Sequence, residues 1–432
     1  MLSVGKLDVD SFYNRLALPV HFRPYFALPA VWSDTVGAGG PRRLVHPVLT
    51  VVPMGWSHAV LLGQAVHQHA VDNMAGLEAH RRLPGARDLL PTELVHAEYV
   101  DDLLTLEACL PHQAPTSFTI LVEASQRYND VGLRSKMAKT EWPRPRDFDD
   151  EHFTTGLGVD LSSFGVVRPG QAKMKETVAA TCAAISLGWL SPRALQQLLG
   201  SWVWPLLLYR PFLAILAQVF EFARLPLPLL RRRLPAGCLQ ELTHLVTLGP
   251  LIEVDLHDPI ASTVVAFDAS KRGGGVVYSP LGPDVQELAA LRTLEDWHTQ
   301  PGQKAAEDLL GRLARQKWRL ALATEWRQEA HINELEASTG VLALRWAARS
   351  GLFRGRRVLF LTDSRVVLGA FKKGRSSSRR LNHHCKRVAA LSFVSGIRPV
   401  WSWIPTELNP ADAPSRGGWI RDGIWPRMGT WR

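Results

Sequence analysis

Val265-Ala266-Phe267-Asp268-Ala269-Ser270, followed by Gly273-Gly274-Gly275 and Val276-Val277-Tyr278, sets the expected architecture of this chain. An apolar run closed by an acid reads as a buried strand over Thr263 to Phe267, with the three glycines as a turn and Val276 to Tyr278 as its hairpin partner. Downstream the pattern alternates. Glu334 to Ser350 is expected to be a helix, Arg357 to Thr362 a strand, Val366 to Lys373 and Leu381 to Val394 helices, and Pro399 to Ile404 a strand. Residues 279–330 read as a polar insertion, helical from Ala305 to Arg319. Upstream, 172–248 carries Leu and Ala at helical spacing, and 1–165 mixes short apolar runs with Pro/Gly turns. The expected class is a multidomain α/β and α+β protein, divided at 1–165, 166–258 and 259–420, with a tail at 421–432.

The 432 residues are 46% hydrophobic and 21% charged, which excludes a wholly disordered chain. Val203 to Phe222, the most apolar region, is interrupted by Pro205, Arg210, Pro211 and Glu221, too soon for the roughly 18 unbroken apolar residues of a membrane span. Met1 to Asp10 has no signal-peptide pattern. Cys109, Cys182, Cys238 and Cys385 lie too far apart for a disulfide framework or a zinc module. An intracellular protein without a membrane is expected, in nucleus or cytoplasm alike. Its oligomeric state is open. The net charge of +10 is uneven: +12 over 261–432 and −2 over 1–260. A polyanion held mainly by the C-terminal part is one explanation, and a merely soluble surface is the other.

Four carboxylates stand at structural junctions of the C-terminal region. Asp268 and Asp363 end strands, Glu336 sits in the first turn of a helix, and Asp412 opens the last helix. Any one alone is more often an N-cap or a solvated charge. Gathered together they repel unless cations neutralise them, and hard oxygen ligands favour Mg²⁺ or Mn²⁺. Two such ions can activate a water and stabilise the leaving oxygen of a phosphodiester. In the N-terminal part, Glu98-Tyr99-Val100-Asp101-Asp102-Leu103 places two acids where a tight hairpin could project both. An Asp-Asp pair by itself is usually a solvated turn. Lys372, Lys373, Arg375, Arg379, Arg380, Lys386 and Arg387 form a strip without acids, able to grip phosphates or simply to face water. Trp202, Trp204, Trp401 and Trp403 read as core.

The opening hairpin, with His331-Ile332-Asn333-Glu334-Leu335-Glu336, Leu361-Thr362-Asp363-Ser364 and Asn409-Pro410-Ala411-Asp412, resembles the four motifs of ribonuclease H as they occur in retroelements. The resemblance covers nearly all of 261–420. It implies a mixed five-stranded sheet with helices, and two ions held by Asp268, Glu336, Asp363 and Asp412. Tyr99-Val100-Asp101-Asp102 resembles the palm signature of reverse transcriptases, and Leu7-Asp8-Val9-Asp10-Ser11-Phe12-Tyr13 its first motif. This second resemblance implies Asp8, Asp101 and Asp102 as the ligands of a further ion pair and Tyr13 as the gate against a 2′-hydroxyl. Pro53-Met54-Gly55-Trp56-Ser57 with Gln64 resembles the nucleotide motif, so Gly55 and Gln64 would contact nucleotide. Lys139 would lie near the leaving pyrophosphate, and Gly156-Leu157-Gly158-Val159 resembles the primer grip. Residues 172–250 look like the thumb and connection of DIRS-like and Gypsy-type elements. The chain starts only seven residues before Asp8, so the fingers are expected to be missing.

The two resemblances together imply a retroelement-derived reverse transcriptase–ribonuclease H region. It would hydrolyse the RNA strand of RNA–DNA hybrids in a metal-dependent way, with DNA synthesis impaired for want of fingers. The alternative is a non-catalytic nucleic-acid-binding or scaffold protein that keeps the same fold. Clustered acids favour the enzyme, because a scaffold has no physical need of them.

Overall fold

The computed structural model describes residues 1–83, 94–110, 112–143, 151–282 and 316–417. Two compact units, Met1–Val167 and Arg168–Arg432, each combine helix and sheet. The tail 421–432 lies outside the described residues, as does most of the expected helix at 305–319.

The first unit is organised by three antiparallel strands, β1 (Leu2–Asp8), β2 (Val95–Tyr99) and β3 (Asp102–Ala108), in the order β1-β3-β2. Alternation in β1 sends Leu7 into a core with Leu103, Leu121, Ala124 and Tyr128. Lys6 and Asp8 therefore share the opposite face. Two helices, α1 (Ala59–Val71) and α2 (Thr116–Asp130), add Ala59, Ala70, Val71 and Ile120 to that core, and Phe12, Leu16, Leu18 and Val52 join it from the segments between β1 and α1. A second hairpin, β4 (Phe153–Gly156) and β5 (Val159–Ser162), turns on Leu157 and Gly158, at φ of 52° and 78°. Paired positive φ values match the twist of a two-residue hairpin.

The second unit begins with four helices, α3 (Gln171–Leu187), α4 (Pro192–Leu208), α5 (Ala217–Ala223) and α6 (Ala236–Leu248). Helix α4 starts at Ser191, whose hydroxyl accepts the Ala194 N–H at 3.2 Å, with Pro192 in its first turn. Trp202 is buried among Leu206, Leu216 and Leu242, and its indole N–H donates to Thr181 Oγ1 at 2.9 Å. Trp204, expected in the core, is instead 49% exposed, because it falls on the opposite side of α4.

A five-stranded sheet follows, in the order β8-β7-β6-β9-β10, from β6 (Ile260–Ala269), β7 (Gly273–Pro280), β8 (Arg319–Glu325), β9 (Arg357–Thr362) and β10 (Arg398–Trp403). Pairing is antiparallel from β8 to β6 and parallel from β6 to β10, so the sheet is mixed. Val265, Phe267, Phe360 and Trp401 pack on one face with Val341 and Leu344 of α7 (Ile332–Arg349) and Val388 of α9 (Arg379–Ser395). Val264, Ala266, Leu359 and Leu361 form the core of the other face. Burial on both faces explains why β6 and β9 read as unbroken apolar runs. The short helices α8 (Arg365–Lys373) and α10 (Asp412–Ser415) complete this part.

Two expectations are corrected here. Gly273, Gly274 and Gly275 belong to β7 rather than to a turn, opposite Ala269 and Asp268. The reversal itself lies at Ser270 to Arg272, closed by the Ser270 N–H on Gly273 O at 2.9 Å. The stretch 279–330, read as an insertion, includes strand β8, whose residues pair with β7 from Gly273↔Glu325 onward. Its polar flanks hid a strand that a long connection separates from its partner.

Candidate functional site

The end of the mixed sheet gathers the four C-terminal acids. Asp268 closes β6 and Asp363 follows β9, its parallel neighbour, with Ala266 level with Leu361. Asn409 ties the two ends together, donating to Phe267 O at 3.3 Å and to Asp363 Oδ1 at 3.2 Å. Ser415 donates to Asp268 Oδ2 at 2.7 Å, which brings the helix opened by Asp412 against β6. Glu336 lies one turn further into α7 than expected and accepts a hydrogen bond from the Ser364 hydroxyl. Glu334 is paired instead with Arg380, at 3.2 Å. Asp412 accepts from Arg416 at 2.9 Å.

Glycines make this convergence possible. A Cβ on Gly275 would stand 2.7 Å from Pro414 Cβ and from Ser415 N, and 2.8 Å from Ala411 O. Only a residue without a side chain lets the backbone before and within α10 lie on β7.

Burial, opposed by the Ser415 hydrogen bond and reinforced by the charges of Asp363 and Asp412, pushes the Asp268 carboxyl up to about 7. Burial also raises Glu336, against the hydrogen bond from Ser364, and Asp363 adds to the rise. Burial and neighbouring like charge thus act together on Asp268 and Glu336, while Asp412 is paired with Arg416. Its donors are all carboxylates, which fits a hard divalent cation. As the side chains stand, no three His, Cys, Asp or Glu among the described residues are grouped to hold an ion.

The N-terminal acids also meet. Asp8 faces Asp102 directly across β1 and β3, and the Val9 N–H donates to Asp101 O at 2.8 Å. Two lysines stand among them: Lys6 Nζ is 3.2 Å from Asp102 Oδ1, and Lys139 Nζ is 3.3 Å from Asp8 Oδ2. Burial raises the Asp102 carboxyl, Lys6 lowers it, and Asp101 and Asp8 raise it again. Tyr13 is close enough that, after burial, the Asp101 charge raises its phenol. Gly63 of α1 makes room for the Phe12–Tyr13 segment, since a Cβ there would lie 2.9 Å from the Phe12 ring.

Sequence reasoning missed how this hairpin is held. Tyr99↔Asp102 pairing leaves a two-residue turn in which Val100 has φ 58°, a strained value for a β-branched residue. Gln64 spans the turn, donating to Glu98 O at 2.8 Å and accepting the Val100 N–H at 3.0 Å. Its amide is thus engaged with protein backbone. His67, buried, lies 2.8 Å from Val100 O through Nδ1 and against the Tyr128 hydroxyl through Nε2. Burial lowers its pKa, so the imidazole is neutral. A carbonyl can only accept, hence Nδ1 carries the proton and Tyr128 donates to Nε2. Beneath the turn, burial alone would raise Glu98, but His96 and Arg82 override it and hold the carboxyl at about 2. The i, i+3 spacing of Gln64 and His67 on α1 is the signal that could have found the clamp. Gly55, at φ 89°, has open space around it, and Met54 beside it is 78% exposed.

The basic strip is divided in use. Arg379 pairs with Glu221 at 3.0 Å, Lys386 stands 3.6 Å from buried Glu241, and Arg375 lies over the Phe220 ring at 5.1 Å. These contacts seat α9 on the helical part, together with Asn382 Nδ2 donating to Ala214 O at 2.9 Å. A cleft of about 970 Å³ opens between them, lined by Arg224, Arg365, Lys373, Arg375 and Ser377 among others. Lys372 and Lys373 end α8, while burial and then Arg345 lower the Arg387 guanidinium. His384 is pushed down to about 4, by burial and then by Arg387 and His383. No helix among the described residues is long and apolar enough to cross a membrane.

No family model and no curated protein matches the chain. Among solved structures it is similar to the foamy viral protease-reverse transcriptase dRH in complex with double-stranded DNA, with 14% identity, 94% of this chain covered and a TM-score of 0.40. The chain spans 57% of the length of that protein. It is also similar to the foamy viral protease-reverse transcriptase with double-stranded DNA (14% identity, 94% of this chain, 68% of that one, TM-score 0.41). The same protein with an RNA/DNA hybrid gives 12% identity, 96% and 67% coverage, and a TM-score of 0.40.

Proposed function

We propose that this chain is a retroelement-derived reverse transcriptase–ribonuclease H region whose working site is the C-terminal carboxylate cluster. On this reading 259–420 is the ribonuclease H-like domain, 1–165 a palm, and 166–258 the thumb and connection, of a DIRS-like or Gypsy-type element. The reaction is hydrolysis of the RNA strand of an RNA–DNA hybrid. The observation that carries it is the meeting of Asp268, Glu336, Asp363 and Asp412 at one end of the sheet, with Asp268 pushed up to about 7 by burial and like charge. Two Mg²⁺ or Mn²⁺ ions bound there would supply an activated water and charge for the leaving oxygen. Asn409, Ser364 and Ser415 orient Asp363, Glu336 and Asp268, and the carboxylates would still have to draw closer together to hold an ion. The cationic cleft lies beside α8, the helix that follows Asp363, where a hybrid's phosphates could be gripped by shape rather than by base sequence.

The test is incubation of the purified chain with Mg²⁺ or Mn²⁺ and labelled RNA–DNA hybrid, double-stranded DNA or single-stranded RNA. Cutting confined to the RNA of the hybrid is expected. A second reading, a nucleic-acid-binding scaffold, is favoured by the absence, among the described residues, of acids grouped to hold an ion as they stand. Hybrid binding without any cutting would establish that reading instead.

A further inference from the structure

We infer that Lys6 is a resident cation of the N-terminal carboxylate site, occupying Asp102 in place of a divalent ion and keeping that site from loading. The inference goes beyond the proposed cleavage and rests on that reading only for its contrast between two sites. Lys6 lies two residues before Asp8 on the same face of β1, and its ammonium reaches diagonally across to Asp102 at 3.2 Å. Both side chains are largely out of water, at 14% and 19% exposure, so solvent screens the pair little. The strand that carries Lys6 is fixed on both edges. It pairs with β3 on one side, and on the other Lys6 exchanges hydrogen bonds with Glu141 at 2.8 and 2.9 Å. Leu104 stands opposite Lys6 in the strand register. Lys139 stands on Asp8 at 3.3 Å, so two of the three acids already face an ammonium.

The C-terminal cluster differs in kind. Asp268, Glu336 and Asp363 are held by the neutral donors Ser415, Ser364 and Asn409, which orient them without cancelling their charge. A divalent ion entering there meets Asp268, Glu336 and Asp363 oriented by neutral donors, with the exposed Arg416 on Asp412 at 2.8 Å as the cation beside them. One entering between Asp8 and Asp102 must first expel Lys6, or stay beside a like charge. Two sets of acids with the same formal chemistry therefore differ in their appetite for ions.

The experiment is a Mn²⁺ titration followed by electron paramagnetic resonance of the free ion, on the full chain carrying Asp363→Asn so that the C-terminal cluster is disabled. With Lys6 in place, weak binding is expected. Lys6→Met should tighten it about tenfold or more, Lys6→Arg should leave it weak, and Asp101→Asn added to Lys6→Met should remove the gain. Unchanged Mn²⁺ affinity in a folded Lys6→Met chain would overturn the inference. If Lys6→Met does not fold, the wild-type chain decides: Lys6 reductive methylation, read by mass spectrometry, should stay equally slow with and without millimolar Mn²⁺. Acceleration by Mn²⁺ would mean that the ion displaces Lys6 readily, and the inference fails. Absence of Mn²⁺ binding at the C-terminal cluster of the wild type would sink the proposed cleavage but leave the Lys6 comparison intact.

Discussion

Asp268 shows how one buried carboxyl couples stability to pH. Below about pH 4 it is neutral in the folded and unfolded chain alike. Between about 4 and 7 it ionises only on unfolding, so rising pH removes stability across that window. In EDTA, Asp268→Asn should therefore gain nothing over wild type near pH 4 and progressively more up to pH 7, on the order of a few kcal/mol by thermal melting. A gain that does not change with pH would refute the burial argument. The acids themselves were legible, because each ends a recognisable apolar run or opens a helix. Their holders were not. Ser415 acts on Asp268 across 147 positions and Asn409 on Phe267 across 142, and single-chain spacing carries no trace of such pairs. Lys6 was equally silent, since one lysine in an apolar strand reads as an edge or a solvated charge.

Among the strands and helices, β7 shows how a strong local signal can mislead. Three successive glycines read as a turn because turns are where glycine is commonest, yet here they form a strand over which the backbone of α10 passes. Gly275→Ala should displace Pro414 and Ser415 and, with them, Asp412. Cutting of the hybrid should fall at least tenfold at a stability cost of about 1–3 kcal/mol. A cleavage assay beside a melting curve checks both, and full activity in the variant would show that α10 need not approach so closely. Elements whose local signals agree with their burial were legible almost to the residue: Arg357–Thr362 is the strand the sequence predicts, and α8 and α9 exceed their expected spans by one or two residues at an end. Strand β8 was not, because Arg319–Glu325 is half-buried at the edge of the sheet and lacks a buried strand's unbroken apolar run.

Across the second unit, part of the basic strip holds the fold together. The sequence showed a basic strip but could not show that Glu221 and Glu241 of the helical part face Arg379 and Lys386. Lys373, which lines the cleft, should contribute to hybrid affinity: Lys373→Ala should reduce the slope of log affinity against log salt by about 1. Lys386→Ala should reduce that slope less, because Lys386, though it lines the same cleft, faces the buried carboxylate of Glu241 at 3.6 Å. Equal slopes for both variants and the wild type would remove the cleft from the binding path. The division of labour between the two carboxylate sites stands or falls on hybrid cleavage by paired variants. With Mg²⁺, Asp363→Asn should abolish cutting of the RNA strand and Asp101→Asn should leave it at the wild-type rate. Cutting that survives Asp363→Asn, or disappears with Asp101→Asn, would contradict that division.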